Sequence, residues 1–206
     1  GMALNTADRS NSPSFPGVTF PFVPANNPGN FLGVPAIMVG RIIGNDGPEN
    51  ISDHDNDTYR AVAALNGDFD NGWSGSLSVG YSWHKNFFAV TDQLTDRTNA
   101  ALNGFGGPGG DQFLMPFLGI PNDPALLDFV TGRFMITTDT SLLTVDGVVT
   151  GEIFEMPAGP VGIAIGAQYR RDDLKADADE DFNNNNFVFI FGGPDIDAYQ
   201  DVFAFF

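Results

Sequence analysis

Cysteine is absent from the 206 residues, and basic residues are few. Without cysteine the chain can form no disulfide scaffold, no thiolate zinc site and no cysteine nucleophile. Lys and Arg number 9 against 26 Asp and Glu, so the formal charge is 9 − 26 = −17. A protein that binds nucleic acid, or docks electrostatically on anionic lipid, needs a basic surface. The charge therefore argues against both kinds of partner.

Long apolar runs are also missing, because no stretch approaches the roughly 18 apolar residues of a transmembrane helix. Gly and Pro together make 25 + 14 = 39 of the 206 residues. That share lies below the ~25–30% typical of low-complexity chains. The 20 Phe residues and the 42% hydrophobic content favour a chain that buries apolar side chains.

The clearest pattern is an alternation over residues 73–83. Odd positions carry Trp, Gly, Leu, Val, Tyr and Trp, whereas even positions carry only Ser and Gly. A strict period of two predicts a strand with one apolar face. Residues 59–66 are also strand-like, and the Asn71-Gly72 pair lies between the two segments. We therefore predict an antiparallel hairpin.

A second hairpin is predicted from residues 148–156 and 161–169. In the later segment the odd positions carry Val, Ile, Ile, Ala and Tyr, and they alternate with Gly, Ala, Gly and Gln at the even positions. Residues 157–160, with two prolines, join the segments, and prolines inside a ladder are disfavoured, so we expect the chain to turn there.

Long polar connections separate these hairpins, with helix-compatible pieces at 92–102 and 124–131. Tight turns at one end and long acidic loops at the other are typical of outer-membrane barrels. The expected order is an extended loop or linker at 1–56, a hairpin at 57–83, a long loop with short helices at 84–143, a hairpin at 144–171, an acidic and Asn-rich loop at 172–197, and a truncated strand at 198–206.

Alternation alone does not say whether the apolar face meets lipid or a protein core. Three details favour lipid. The 73–83 strand is near the ~9–11 residues that cross a bilayer at a tilt. It has aromatic residues at both ends, where aromatic girdles lie. The Ser and Gly side chains on its other face are too small to fill a protein core. The predicted lipid-facing residues are Trp73, Leu77, Val79, Tyr81, Trp83, Val161, Ile163, Ile165 and Tyr169.

Residues 151–171, GEIFEMPAGPVGIAIGAQYRR, resemble a hairpin that recurs in the barrels of TonB-dependent outer-membrane receptors. Other parts of the chain are similar to neighbouring strands of the same barrels. These parts are DTYR at 57–60, LNGDF at 65–69, GWS at 72–74 and DVFA at 201–204.

The resemblance implies an all-β fold made of antiparallel hairpins of an incomplete outer-membrane β-barrel, with short helices in the long loops. It implies a full-length parent with a plug, a TonB-contacting segment and a barrel of about 22 strands. That parent would import a scarce nutrient such as a siderophore. Membrane lipid and the TonB system are partners expected only of the parent, and we expect the isolated fragment to self-associate.

One metal site is a candidate. Asp53, Asp55 and Asp57 alternate with other residues, and a hard cation such as calcium prefers oxygen ligands. The calcium-loop pattern would need Gly and Glu where Thr58 and Ala64 stand, so the alternative is a solvated acidic turn ahead of a strand. No other cofactor is expected.

Catalytic patterns are weak. Residues 104–109 match the GxGxxG spacing, but a dinucleotide fingerprint must follow a strand and open a helix, whereas Pro108 and further glycines surround this one. The two histidines, His54 and His84, have no metal-ligand spacing. We therefore expect no enzyme.

Two functions remain open, and a third, an extracellular adhesion or surface-layer segment, is favoured only by the acidity and the lack of cysteine. The first is a piece of a TonB-dependent receptor barrel located in the outer membrane. The second is a soluble β-rich module that binds a ligand or calcium in its acidic loops. In the second case the odd-numbered residues would pack against a second sheet.

Overall fold

A computed structural model describes residues 2–11, 22–40, 51–70, 72–117, 121–188 and 191–206. Within them the strands are β1 Met2–Asn11, β2 Phe22–Val23, β3 Ala36–Ile37, β4 Ile51–Asp68, β5 Ser74–Gln93, β6 Thr131–Met156, β7 Gly159–Ala178 and β8 Ile196–Phe205. The helices are α1 Thr95–Leu102, α2 Pro124–Val130 and α3 Glu180–Asn183.

The main sheet has six strands in the order β1-β4-β5-β6-β7-β8, and every neighbouring pair is antiparallel. Strands β2 and β3 form a separate small sheet. The all-β fold predicted from the sequence is confirmed. Among the described strands, β1 and β8 are not paired with each other, so the sheet is open at both edges.

Both predicted hairpins are present. Strands β4 and β5 pair along their length, and the Phe69 N–H donates to the Trp73 carbonyl at 2.7 Å to close the turn. Gly72 has a φ of 78°, which an L side chain rarely adopts, so glycine is needed there. Its predicted turn partner, Asn71, lies outside the described residues.

The second turn is tighter than predicted. Met156 pairs with Gly159, so only Pro157 and Ala158 form the connection between β6 and β7. Pro160 lies inside β7 and pairs with Glu155. The prediction that the whole 157–160 segment turns was therefore wrong at its end, because a ladder tolerates proline near the start of a strand.

The strands extend much further than predicted. Strand β5 continues to Gln93 and β6 begins at Thr131, so the supposed loop at 84–143 is strand at both ends. Strand β7 likewise runs to Ala178, inside the supposed loop at 172–197, and β8 begins at Ile196. These extensions carry polar residues on both faces, so hydrophobic alternation could not reveal them. The continued ladder of backbone hydrogen bonds defines them instead.

The region 1–56 is also not simply an extended loop. Strand β1 pairs with β4 from Met2↔Arg60 to Asn11↔Ile51, and β4 itself begins at Ile51. These residues are mostly polar, so they show no hydrophobic alternation. Their pairing depends on backbone N–H and C=O groups rather than on apolar side chains.

The helices α1 and α2 lie where helix-compatible sequence was predicted. Helix α2 starts at Pro124, and the side chain of Asp123 accepts the Ala125 N–H at 2.8 Å, which satisfies a free donor of the first turn. The N-terminus of α1 is capped from a distant segment. The Thr95 N–H donates to the Asn186 carbonyl at 2.6 Å, and the Asp96 N–H donates to the Asn186 side chain at 3.1 Å.

A hydrophobic core lies in the connections rather than in the sheet. It joins the 22–40 segment, α1, α2 and the loop between them. Asn27, only 1% exposed, holds these parts together: its side-chain amide donates to the carbonyls of Leu102 at 2.8 Å and Leu114 at 2.9 Å. The buried core residues are Val23, Ala101, Leu102, Leu114, Leu126, Leu127 and Val130.

A second cluster attaches these connections to one end of the sheet. Val90 of β5 and Phe134 of β6 pack with Leu94 and Phe187. Backbone bonds reinforce the contact, since the Val188 N–H donates to the Gln93 carbonyl at 3.0 Å. No helix among the described residues is long and apolar enough to span a membrane.

Candidate functional site

The register of the sheet separates its side chains into two faces of opposite character. Directly paired residues share a face, and the pairing joins odd-numbered with odd-numbered positions from β4 to β8 as far as Glu152 of β6. Beyond a register shift between Glu152 and Phe154, the even-numbered Phe154 and Met156 pair with Val161 and Gly159 and so join the odd-numbered face. We call one part of the odd-numbered face the apolar belt. It consists of the odd-numbered residues 61–67 of β4, 75–81 of β5, 143–149 of β6, 163–169 of β7 and 203–205 of β8, none of which is charged.

The belt is exposed to solvent. Leu77 retains 50% of its accessible surface, Ile165 58% and Phe203 68%. A side chain packed under a second sheet would be nearly inaccessible, and no second sheet covers the belt among the described residues. Contiguous apolar surface of this kind is typical of interaction with another protein or with a membrane.

Aromatic side chains lie at the ends of the belt. Tyr59 and Trp83 pair across β4 and β5, and their rings stack with centroids 5.4 Å apart. At the opposite end, a Cβ added to Gly151 would overlap the ring of Trp73, so this indole covers the glycine closely. Tyr169 and Phe203 pair across β7 and β8 with centroids 4.9 Å apart.

The sheet brings all nine predicted lipid-facing residues to this one face. Leu77, Val79, Tyr81 and Trp83 are on β5, and Val161, Ile163, Ile165 and Tyr169 are on β7, all at odd positions. Trp73 reaches the same face through its contact with Gly151. Their contact with lipid stays a prediction.

Sequence reasoning missed the belt residues of β4, β6 and β8. Leu65 pairs with Leu77, and Val145 pairs with both Val79 and Tyr169, so they complete the surface between the predicted strands. The period of two in residues 143–149, Leu, Val, Gly and Val at odd positions, was the signal available for β6.

The even-numbered face, which we call the polar face, carries cross-strand hydrogen bonds between polar side chains, and at one end of it Val90 and Phe134 pack with Leu94 and Phe187. Ser74 and Thr150 share a hydrogen bond of 2.7 Å between β5 and β6. Thr58 and His84 share one of 2.8 Å, which orients the imidazole. Further pairs on this face are Asn86 with Asn56, Gln168 with Asp146, Ser78 with Asp146, and Arg170 with Asp172.

The sheet curves toward this polar face. A groove of about 550 Å³ is lined by residues from all five strands β4 to β8, most of them even-numbered, as expected of a sheet that is concave on this side. Its lining includes Thr58, Ser82, His84, Asp172 and Gln200. The apolar belt is therefore on the convex side of the sheet, and the polar face is on the concave side.

The candidate calcium ligands lie within a strand, which corrects the expected acidic turn. Asp53, Asp55 and Asp57 are consecutive odd positions of β4, so neighbouring carboxylates are spread along the strand at about 6–7 Å. Asp53 forms an ion pair with Arg133. No group of three His, Cys, Asp or Glu side chains in the described part of the chain could hold a metal ion.

One titratable group is buried outside the belt. Asp92, near the end of β5, is 4% exposed, and its Oδ1 accepts the Gln93 N–H at 2.7 Å. Its Oδ2 has no hydrogen-bond partner in the described structure. Burial raises the pKa of this carboxyl from 3.8 to about 7, and the bond from Gln93 opposes the rise.

The remaining motifs, His54 and the glycine-rich segment at 104–109, take part in local packing and turns. His54 packs its ring against Phe88 at 4.6 Å. The Gly104–Gly109 segment follows α1 rather than a strand, and Gly106 pairs with Gln112 in an isolated bridge. This arrangement lacks the strand-to-helix setting of a dinucleotide site.

Comparison with protein-family models found no match for this chain. Curated proteins and solved structures gave no match either. A functional assignment therefore depends on the two faces of the sheet.

Proposed function

We propose that this chain is a wall segment of an outer-membrane β-barrel of the TonB-dependent receptor type. The observation that carries the proposal is the uncharged, half-exposed apolar belt on the convex side of the sheet. A membrane barrel places an apolar band of this kind against lipid and a polar face toward its lumen.

Three features support a membrane over an aqueous surface. Leaving a large apolar side chain in water forfeits about 1.5–3 kcal/mol each, so a belt of more than ten such residues needs a cover. Tyr59, Trp83 and Tyr169 lie at one end of the belt, where interfacial aromatic residues would be placed. The polar groups opposite are already paired with one another or line the groove, as in a wet lumen.

The finer part of the proposal concerns import. The resemblance of residues 151–171 to receptor barrels supports the view that the complete protein takes up a scarce nutrient such as a siderophore. In a Gram-negative host, disruption of the gene should slow growth when iron is chelated and leave growth unchanged when iron is plentiful. Equal growth under both conditions would remove iron from the candidate nutrients.

The open edges of the sheet lead us to propose that the isolated chain self-associates. Strand β8 pairs only with β7 among the described strands, which leaves its other side able to recruit a further strand. Tyr199, Phe203 and Phe205 on β8 are largely exposed. Analytical ultracentrifugation without detergent should detect oligomers.

Membrane contact is tested by placing the same charge on neighbouring residues of opposite faces. Leu77→Arg puts a cation in the belt, and Ser78→Arg puts it on the polar face beside Asp146. In flotation with phosphatidylcholine vesicles, Leu77→Arg should lower the inserted fraction roughly 30-fold or more, from the ~2–4 kcal/mol cost of a mid-membrane cation. Ser78→Arg should change it by about twofold at most.

Equal flotation of the two variants would contradict lipid contact. A monodisperse monomer that needs no detergent would instead favour the soluble β-rich ligand- or calcium-binding module.

A further inference from the structure

The first charged residues beyond the belt lie at different levels on different strands. On β4 and β5 they are Asp57 and Lys85, the next odd positions after Tyr59 and Trp83. On β7 the first is Arg171, the next odd position after Tyr169. Arg171 pairs with Leu143, which pairs with Tyr81, so a charge on β7 shares a row with an apolar ring on β5.

The shift can be measured from the register. Tyr169 pairs with Val145, and Val145 pairs with Val79, so the last aromatic of β7 is level with residue 79 of β5. The last aromatic of β5 is Trp83, four residues further along (83 − 79 = 4). Four residues span about 13 Å, and the two strand spacings from β5 to β7 span about 9.6 Å.

The wider span gives a similar slope. Phe203 on β8 is level with Ala63 on β4, through the pairs that join β4 to β8. The aromatic on β4 is Tyr59, again four residues away (63 − 59 = 4), but over four strand spacings of about 19 Å. The two estimates place the line of aromatic residues at roughly 35–55° from the perpendicular to the strands, around the tilt of membrane barrels.

The other end of the sheet shifts in the same direction. The last pair of β4 and β5 is Asp68↔Ser74, and Ser74 is level with Thr150. Strand β6 continues for six more residues to Met156 (156 − 150 = 6). After the register shift at Glu152/Phe154, Phe154 (55% exposed) pairs with Val161 and Met156 (49% exposed) pairs with Gly159, so both extend the apolar odd-numbered face there. Both ends of the belt therefore slope together.

The charged side chains at this end of β7 and β8 form ion pairs and hydrogen bonds at the surface. Their partners include tyrosines, which are typical of a membrane interface. The Arg171 guanidinium donates to the Asp173 carboxylate at 3.1–3.2 Å and lies 4.7 Å above the centre of the Tyr199 ring. The Tyr169 hydroxyl donates to Asp201 at 2.7 Å. Since a cation in hydrocarbon costs about 2–4 kcal/mol, the edge of the hydrocarbon has to pass between Tyr169 and Arg171.

We propose that the hydrocarbon edge of a bilayer crosses the odd-numbered face obliquely, from Tyr59 and Trp83 to Tyr169 and Phe203. Lys85 on β5 and Arg171 on β7 then lie together at the level of the lipid phosphates, although their rows are four residues apart. This inference rests on the proposed membrane function and adds the position and slope of the lipid boundary.

The absence of cysteine allows a direct test with single nitroxide labels. The three sites are Val79→Cys, Trp83→Cys and Tyr169→Cys, each in the full chain in phosphatidylcholine vesicles. Label depth is measured from collision rates with oxygen and with a water-soluble nickel chelate. Val79 and Tyr169 share a row, whereas Trp83 and Tyr169 share the proposed boundary.

An oblique boundary places the Trp83 and Tyr169 labels at nearly equal depth and the Val79 label about 7 Å deeper than Tyr169, from two strand spacings at a tilt of about 45°. A boundary perpendicular to the strands would make Val79 and Tyr169 equal, both deeper than Trp83, and would overturn the oblique line while leaving lipid contact intact. Three labels in water would overturn both proposals.

Three further variants keep the test decisive. Tyr59→Cys replaces Trp83→Cys if the tryptophan variant does not insert, because the two residues pair directly. Arg171→Leu should let the Tyr169 label sink, whereas Arg171→Lys should leave its depth unchanged. Equal depth in both Arg171 variants would show that the charge does not set the boundary.

Discussion

The connections and the sheet treat apolar side chains in opposite ways. Leu102 and Leu114, in the connections, have no accessible surface, whereas Leu65 and Leu77, on the sheet, remain at least half exposed. The connections bury their hydrophobic side chains against one another, whereas the belt exposes its apolar side chains to the surrounding solvent or lipid. Apolar content alone therefore does not identify a core, because the same residue type serves burial in one region and contact in the other.

The sharpest way to break this comparison is to remove one leucine from each region. Leu102→Ala should cost about 2–5 kcal/mol of local stability, because a fully buried side chain leaves a cavity. Leu65 is 74% exposed and its truncation leaves no cavity in the protein, so without detergent Leu65→Ala should cost the sheet less than about 0.5 kcal/mol. Hydrogen exchange of α1 and β4 amides measures both. Similar losses would show that the belt is packed like the connections.

Asp92 tests whether the junction between the regions is dry. Its folded-state pKa of about 7 lies above its ordinary value of 3.8, so the unfolded state releases the proton first as pH rises. Stability of the junction should therefore be greatest near pH 4, fall up to about pH 7, and then level off. Asp92→Asn should remove this slope and stabilise the junction at pH 8 by roughly 2–4 kcal/mol. A slope that persists in the variant would assign it to another group.

Asn27 tests how the connections are held to one another. Asn27→Ala leaves the carbonyls of Leu102 and Leu114 without their side-chain donor. We expect a loss of about 1–3 kcal/mol in the protection of α1 amides, since buried acceptors would stay unsatisfied. Strand β5 should keep its protection, because the hydrogen bonds of Asn27 in the described part of the chain go to the connections and not to the main sheet. Loss in both places would mean that connections and sheet unfold as one unit.

The stacked pair at the edge of the belt gives the smallest expected effect. Tyr59→Ala removes the ring that stacks on Trp83 and should cost about 0.5–1.5 kcal/mol beyond the area lost. Tyr59→Phe keeps the ring and serves as the control. Denaturant titration followed by Trp fluorescence measures both, and equal midpoints for Ala and Phe would remove the stack from the energetics of the sheet.

Much of the sheet was predictable where alternation was strong. The hairpins around 59–83 and 148–169 were found because one face is apolar and the other small and polar. The extensions at 84–93 and 131–143 were missed because both of their faces include polar residues, so the period of two carries no hydrophobic signal. Helix α2 was predicted from the helix-compatible sequence at 124–131, and Asp123 and Pro124 form its N-terminus.

The candidate site was predicted only in part. The nine lipid-facing residues lie on one face because odd spacing on a strand fixes the side on which a residue points. Their neighbours on β4, β6 and β8, such as Leu65, Val145 and Phe203, entered the surface only through pairing register. The trans-cap of α1 by Asn186 had no local signal, since the residues are distant in sequence.

The amino-acid sequence by itself determined that the long strands have two unlike faces, because the alternation of side chains is a property of each strand. Only the tertiary structure decided which face is convex, where the belt begins and ends, and that the hydrophobic connections pack on the polar side at one end. Those features depend on register and curvature among five strands, and hydrogen bonds between distant backbone segments set both.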